Sequence, residues 1–143
     1  MSETRNHTEV TLDRLGPLHY EATNSRGGTL PIGTGQTDEF TPVELMMAAI
    51  AGCSAIDVDM LTHRRAEPDV FTTTITADRV KDESGNRLDA IDVTFTIRFP
   101  EGEDGDRARR ILERSVQESH DRLCTVSRTV EAGTPVTMGL SED

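Results

Sequence analysis

The chain has 143 residues, with 26 acidic against 15 basic side chains and a formal net charge of −11. That length suits one domain, residues 1–143, with a core of its own, and the charge repels nucleic-acid phosphates, which sets DNA and RNA aside as partners. The start has no charged-then-apolar leader and no long apolar run follows, so the expectation is a soluble, cytoplasmic protein with no membrane partner.

Residues 1–7 read as a loose end. Thr8 to Leu15 alternates, with Val10 and Leu12 against Glu9, Thr11 and Asp13, the pattern of a half-buried strand. Gly16-Pro17 makes a turn, and Leu18 to Asn24 alternates again. Gly27-Gly28 precedes a third short strand over 29–33, so the chain opens with an antiparallel meander.

Residues 40–65 read as one long helix. Thr41 is a good N-cap, Pro42 suits the first helical position and Glu44 completes a capping box. Arg64 and Arg65 stand at the end where the dipole favours positive charge. From Leu45 to Ile56 Ser54 is almost the sole polar residue. Apolar all round implies buried all round, by other elements or a partner chain, with Cys53 inside. The run reads as too short to span a bilayer.

After Pro68, the alternation over 70–80 and 88–99 predicts a long hairpin with one buried face. Phe71, Thr73, Ile75 and Ala77 share that face with Ile91, Val93, Phe95, Ile97 and Phe99. Residues 106–121 carry apolar positions at helical spacing, and 124–132 read as a last short helix ended by Gly133. A closing strand is expected over 134–140, with a tail at 141–143. The order β-β-β-α-β-β-α-α-β means α+β.

Lys81 is the only lysine; the other 14 of the 15 basic residues are arginines. Acid-rich, lysine-poor composition without tryptophan suits solubility in high salt, a property of the host rather than of the chemistry.

Cys53 and Cys124 are the two cysteines. In a reducing compartment such a pair is either core filling or redox chemistry. Cys124 stands where a helix begins, which lowers a thiol pKa. Cys53 sits mid-helix, where burial raises it, so a reactive Cys53 needs a cation: Arg26 and Arg14 are the candidates. Glu44 lies about half a turn out of phase with Cys53, which favours its capping role over catalysis. Asp57, one turn after Cys53, would disfavour a thiolate and is expected to cap, pair with an arginine or face solvent. His120 either pairs with Cys124 or satisfies the last carbonyls of its helix. The sequence has no C-x-x-C, no H-E-x-x-H and no tight His/Cys cluster, so neither metal nor cofactor is expected.

Thr41-Pro42-Val43-Glu44-Leu45, followed by Ala48 through Val58 with Gly52-Cys53-Ser54 at its centre, resembles the signature helix of the OsmC/Ohr family. Ser119-His120-Asp121-Arg122-Leu123-Cys124-Thr125-Val126 resembles that family's second-cysteine segment. The resemblance runs in order over nearly the whole chain. It implies a two-layer α+β fold of antiparallel sheets with long central helices, forming an intertwined homodimer. It also implies a thiol-dependent peroxidase acting on organic hydroperoxides in oxidative stress defence. Carried over, Cys53 would be the peroxidatic cysteine and Cys124 the resolving one, with Arg26, Glu44 and His120 in supporting positions. A dithiol donor, lipoylated or thioredoxin-like, would reset the pair. The Ohr branch has its glutamate where this chain has Val43, and its Gly-Gly-Arg turn is replaced by Arg26 ahead of two glycines. Pro-x-Glu-Leu at 42–45 is similar to the broader OsmC-like branch. The competing readings are a non-enzymatic dimeric stress or ligand-binding protein, with Cys53 as filler, and a redox sensor.

Overall fold

Three antiparallel strands open the chain in the computed structural model, which describes residues 3–142: β1 (Val10–Gly16), β2 (His19–Asn24) and β3 (Thr29–Ile32), in the order β1-β2-β3. Tyr20 faces Arg14 on one side and Ile32 on the other. The chain divides into two compact units, Met1–Met46 and Met47–Asp143, and the meander lies in the first.

Local chemistry sets both of its turns. Leu18 takes a left-handed φ of 60° between β1 and β2, so it belongs to the turn rather than to the strand expected there. In the second turn the Asn24 side-chain oxygen accepts the Arg26 and Gly28 amides at 3.0 Å each, while Gly27 supplies the left-handed residue. β1 was expected to be half-buried, yet Val10 and Leu12 are 63% and 54% exposed. Alternation specifies a face, and among the described residues no other element of the first unit covers it. Of the loose ends expected at 1–7 and 141–143, Met1, Ser2 and Asp143 lie outside the described residues, and 3–7 are irregular and exposed.

The capping box forms: the Thr41 amide donates to Glu44 Oε1 at 2.9 Å and the Glu44 amide to Thr41 Oγ1 at 3.2 Å. From it runs α1 (Pro42–Thr62). Arg64 and Arg65 fall beyond the helix, but Arg65 Nη1 still donates to the Leu61 carbonyl. Ile50, Ala51, Ser54, Val58 and Thr62 are buried along one face. Ile56 and Met60 are 63% and 65% exposed, so within one chain the burial is one-sided, and the rest of the expected cover would have to come from a partner chain. The membrane expectation needs correcting. With 21 residues and a mean hydropathy of 1.5, α1 is long and apolar enough by composition to cross a bilayer. Core helices of soluble proteins pass the same test, and Asp57 and Asp59 on this helix would be costly in lipid.

In the second unit β4 (Val70–Asp82) and β5 (Gly85–Arg98) form the expected hairpin, closed by the two-residue turn Glu83-Ser84. Phe71, Thr73, Ile75 and Ala77 are half-buried on one face, and Phe71 meets Phe95 edge-on at 6.4 Å. A bulge between Thr76 and Asp78 is taken up opposite by Ala90 at φ 51°. α2 (Glu103–Glu118) starts earlier than the apolar spacing predicts, because Glu103 and Asp104 suit its positive end. Its anchor is Gly105, where a Cβ would stand 1.7 Å from the Pro100 carbonyl oxygen. Arg109 donates to the Phe99 carbonyl at 2.9 Å.

Two expectations fail near the end. Residues 119–121 do not continue α2 as an α-helix; a π-helical turn, Ser119–Leu123, follows it and is closed by the Cys124 amide on the Ser119 carbonyl at 2.8 Å. After α3 (Thr125–Glu131) the strand expected over 134–140 is irregular chain, with Val136, Met138 and Leu140 80%, 95% and 99% exposed. Their period-two pattern is strand-like, but a ladder needs a neighbouring edge. The result is an α+β fold of antiparallel sheets and helices.

Candidate active site

Two segments of the second unit build the site. α1 contributes Cys53 and, one turn on, Asp57. The π-helical turn and α3 contribute Ser119 and Cys124. The wider turn ends with Cys124 in an extended conformation at the N-cap of α3, fully buried. The Sγ atoms of Cys53 and Cys124 and a carboxylate oxygen of Asp57 all lie within 4.8 Å of one another. Both cysteines are free thiols.

The two sulfurs have different surroundings. Around Cys124 Sγ, the Ser54 hydroxyl donates at 3.4 Å, the Ser127 amide donates at 3.4 Å, and Ser127 Oγ lies at 3.2 Å. Burial works against charge on this sulfur, yet the Ser127 and Ser54 hydroxyls, the Ser127 amide and the Cys53 thiol together hold it below the ordinary thiol value. Burial pushes the Cys53 thiol up; the Val126 amide opposes this, while Cys124 and the charge of Asp57 add to it. The charges that reach Cys53 are thus both negative. As the dipole argument anticipated, Cys124 is the more acidic thiol.

Asp57 neither caps nor pairs with an arginine: its Oδ2 accepts the Ser119 hydroxyl at 2.9 Å. That corrects the expectation for this residue, and its disfavouring of the Cys53 thiolate is real. His120 does not pair with Cys124. Its Nδ1 meets Asp121 at 2.9 Å and its Nε2 meets Glu131 at 3.1 Å, so it ties the π-helical turn to α3 instead. The Asp121 hydrogen bond, then the Glu131 hydrogen bond and charge, raise its pKa. Glu44 sits in the capping box. Arg26 lies in the exposed β2–β3 turn of the first unit.

Ser54, Ser119 and Ser127 were missed as contributors. Ser54 carried a signal, being nearly alone as a polar residue in an apolar run. Ser119 and Ser127 carried none.

A cavity of about 470 Å³ reaches the residues that surround Cys124 Sγ, although neither sulfur lines it. Ile50, Val93, Phe95, Val116 and Val130 give it apolar walls, and Ser54 and Ser127, both on Cys124, lie at its edge. His120 and Glu131 also line it.

Comparison with known proteins places this geometry in a family. An uncharacterised protein of Mycobacterium tuberculosis is 28% identical over 132 residues, covering 92% of this chain and 94% of its own. The structure of an OsmC-like protein of unknown function from Vibrio cholerae superposes with a TM-score of 0.73 at 11% identity, covering 89% of this chain and 95% of that one. An organic hydroperoxide resistance protein from Elizabethkingia anophelis gives 0.62 at 12% identity, with 90% and 91% covered. At such identities these likenesses speak for the fold. The family model for OsmC-like proteins matches residues 33–139, a span that takes in α1, the hairpin and both cysteines; the chain belongs to the OsmC-like family.

Proposed function

We propose that this chain is a thiol-dependent peroxidase for organic hydroperoxides, working through Cys53 and Cys124. The observation that carries the reading is the approach of the two sulfurs within 4.8 Å. The names of some structural neighbours, organic hydroperoxide resistance proteins, support the same class.

Cys53 is the half-buried sulfur and Cys124 the enclosed one, so a hydroperoxide meets Cys53 first. Hydrogen bonds favour charge on Cys124, while burial and negative neighbours favour the proton on Cys53. Passing that proton across their contact makes Cys53 the nucleophile. Its sulfur attacks the terminal peroxide oxygen, the O–O bond breaks, and the alkoxide leaves and takes a proton from solvent. Cys53 is now a sulfenic acid. Cys124 attacks this sulfur; the S–O bond breaks, hydroxide takes the Cys124 proton and leaves as water, and a disulfide remains. A dithiol, on a lipoylated or thioredoxin-like protein, reduces it by exchange. Glu44 supports the site by starting α1, and His120 by holding α3.

The working unit is proposed to be a homodimer. In the second unit, Ile56 and Met60 of α1 and the strand-like Val136, Met138 and Leu140 are open apolar surface of the kind a second copy covers.

In the test, tert-butyl hydroperoxide is consumed with dithiothreitol as reductant, and the intact mass after peroxide alone falls by two hydrogens. Cys53→Ser abolishes both. A Cys53→Ser variant as active as the parent overturns the assignment. The apolar cavity favours one second reading, a ligand-binding protein without turnover, and failure to form the disulfide selects it.

A further inference from the structure

Cys53, Asp57 and Cys124 offer three donor atoms of one coordination set, although no metal-binding motif is legible in the sequence. Two of the donors are soft sulfurs and one is a carboxylate oxygen. Thiolates select thiophilic cations, and a tetrahedral zinc ion bound by three protein groups keeps a fourth position open. Tetrahedral zinc with sulfur and oxygen donors needs donor separations of about 3.3–3.8 Å. Donors already within 4.8 Å therefore close on an ion through small side-chain rotations.

Outer contacts prepare the set. The Ser119 hydroxyl fixes Asp57 Oδ2 at 2.9 Å, leaving the second carboxylate oxygen for an ion. The Ser54 hydroxyl and the Ser127 amide hold Cys124 Sγ at 3.4 Å each. Such supporting hydrogen bonds orient metal ligands in established sites. A cation would also bring together three groups that otherwise repel one another as anions, since Asp57 and Cys124 both act electrostatically against charge on Cys53.

We propose that the reduced protein binds one zinc-class divalent cation per chain through Cys53 Sγ, Cys124 Sγ and the Asp57 carboxylate. The site requires only the reduced thiols and does not depend on peroxidase turnover. Metal binding and disulfide formation use the same two sulfurs and exclude each other. With an organic hydroperoxide as oxidant, the two bound thiolates become a disulfide, the O–O bond is reduced to an alcohol and water with two protons from solvent, and the cation is released.

The experiment titrates Zn²⁺ into the reduced, metal-free full-length protein in competition with a chromophoric chelator, and Co²⁺ in parallel for its spectrum. The expected result is one equivalent per chain, with thiolate-to-Co²⁺ charge transfer and the strong visible bands of a tetrahedral ion. Asp57→Asn and each Cys→Ser variant lose the tight equivalent, while Ser119→Ala, which touches no ion, weakens it by about tenfold. Circular dichroism of each variant confirms that it folds, and wild-type protein oxidised by diamide provides a thiol-free sample with no substitution. Absence of a tight equivalent in reduced wild-type protein overturns the proposal. So does a tight equivalent that survives in folded Cys53→Ser or in the oxidised protein. If peroxide fails to form a disulfide while reduced protein still binds Zn²⁺, the peroxidase reading fails and the metal site stands.

Discussion

Cys53 and Cys124 differ in the charge each can hold, and the difference comes from a few neighbours. Cys124 has two serine hydroxyls and an amide around its sulfur; Cys53 has burial, Cys124 and the Asp57 carboxylate against its charge and the Val126 amide in favour. Cys124 therefore ionises below the ordinary thiol value and Cys53 above it, and the two titrate as a pair. In Cys124→Ser, Cys53 loses its negative neighbour, and its midpoint falls. In Cys53→Ala, Cys124 loses a hydrogen-bond donor, and its midpoint rises. Ultraviolet thiolate absorbance against pH reads both; shifts of opposite sign to these contradict the electrostatic assignment. Among the groups that set the ionisation of Cys53, the charged ones are Cys124 and Asp57. The one-turn spacing from Cys53 to Asp57 was visible in the sequence. The Ser119 hydroxyl that turns Asp57 into a held ligand comes from a distant segment, so no local pattern announces it.

At the scale of elements, the π-helical turn and its tie to α3 decide where Cys124 sits. One extra residue in the turn shifts the register of everything after it. His120 bridges Asp121 and Glu131 across this junction, and its pKa is raised above 6.5. The sign follows from linkage: a histidine favoured in its charged form stabilises the fold fully below its unfolded value, and that contribution disappears as pH rises through the folded value. Protection of the α3 amides, relative to their intrinsic base-catalysed exchange, should therefore fall as pH rises through the titration of His120. Glu131→Gln should lower the His120 midpoint by NMR and blunt the change. The pair is exposed, so the effect is small and added salt reduces it. Protection of α3 that grows with pH would contradict this. The sequence located α2 and α3 with a short break between them but not the π-helical turn that begins at Ser119, because such a turn keeps helical composition and changes only which carbonyl each amide reaches.

The whole chain leaves apolar surface that its own elements do not cover. In the second unit this is the Ile56–Met60 side of α1 and the segment from Val136 to Leu140; in the first it is β1. Burial of such side chains is worth about 1.5–3 kcal/mol each, ample for a partner chain to contribute stability. Sedimentation should give the mass of two chains, with a melting temperature that rises with concentration. Ile56→Glu together with Met60→Glu should yield monomer and lower the melting point. A wild-type monomer at every concentration would remove the homodimer from the proposal.

Sequence alone determined what depends on neighbours a few residues apart. Thr41 and Glu44 started α1, alternation built the β4–β5 hairpin with the right residues on its buried face, and Asn24 with Gly27 closed the meander. These are short-range hydrogen bonds and side-chain periods, and they hold whatever packs around them. Only the tertiary structure decided which hydroxyls surround the Cys124 sulfur, that Asp57 joins the two cysteines, and that 134–140 lacks a ladder in this chain. Each of those depends on groups brought together from distant segments, or on an edge that a second chain would have to supply, and no local pattern encodes such a meeting.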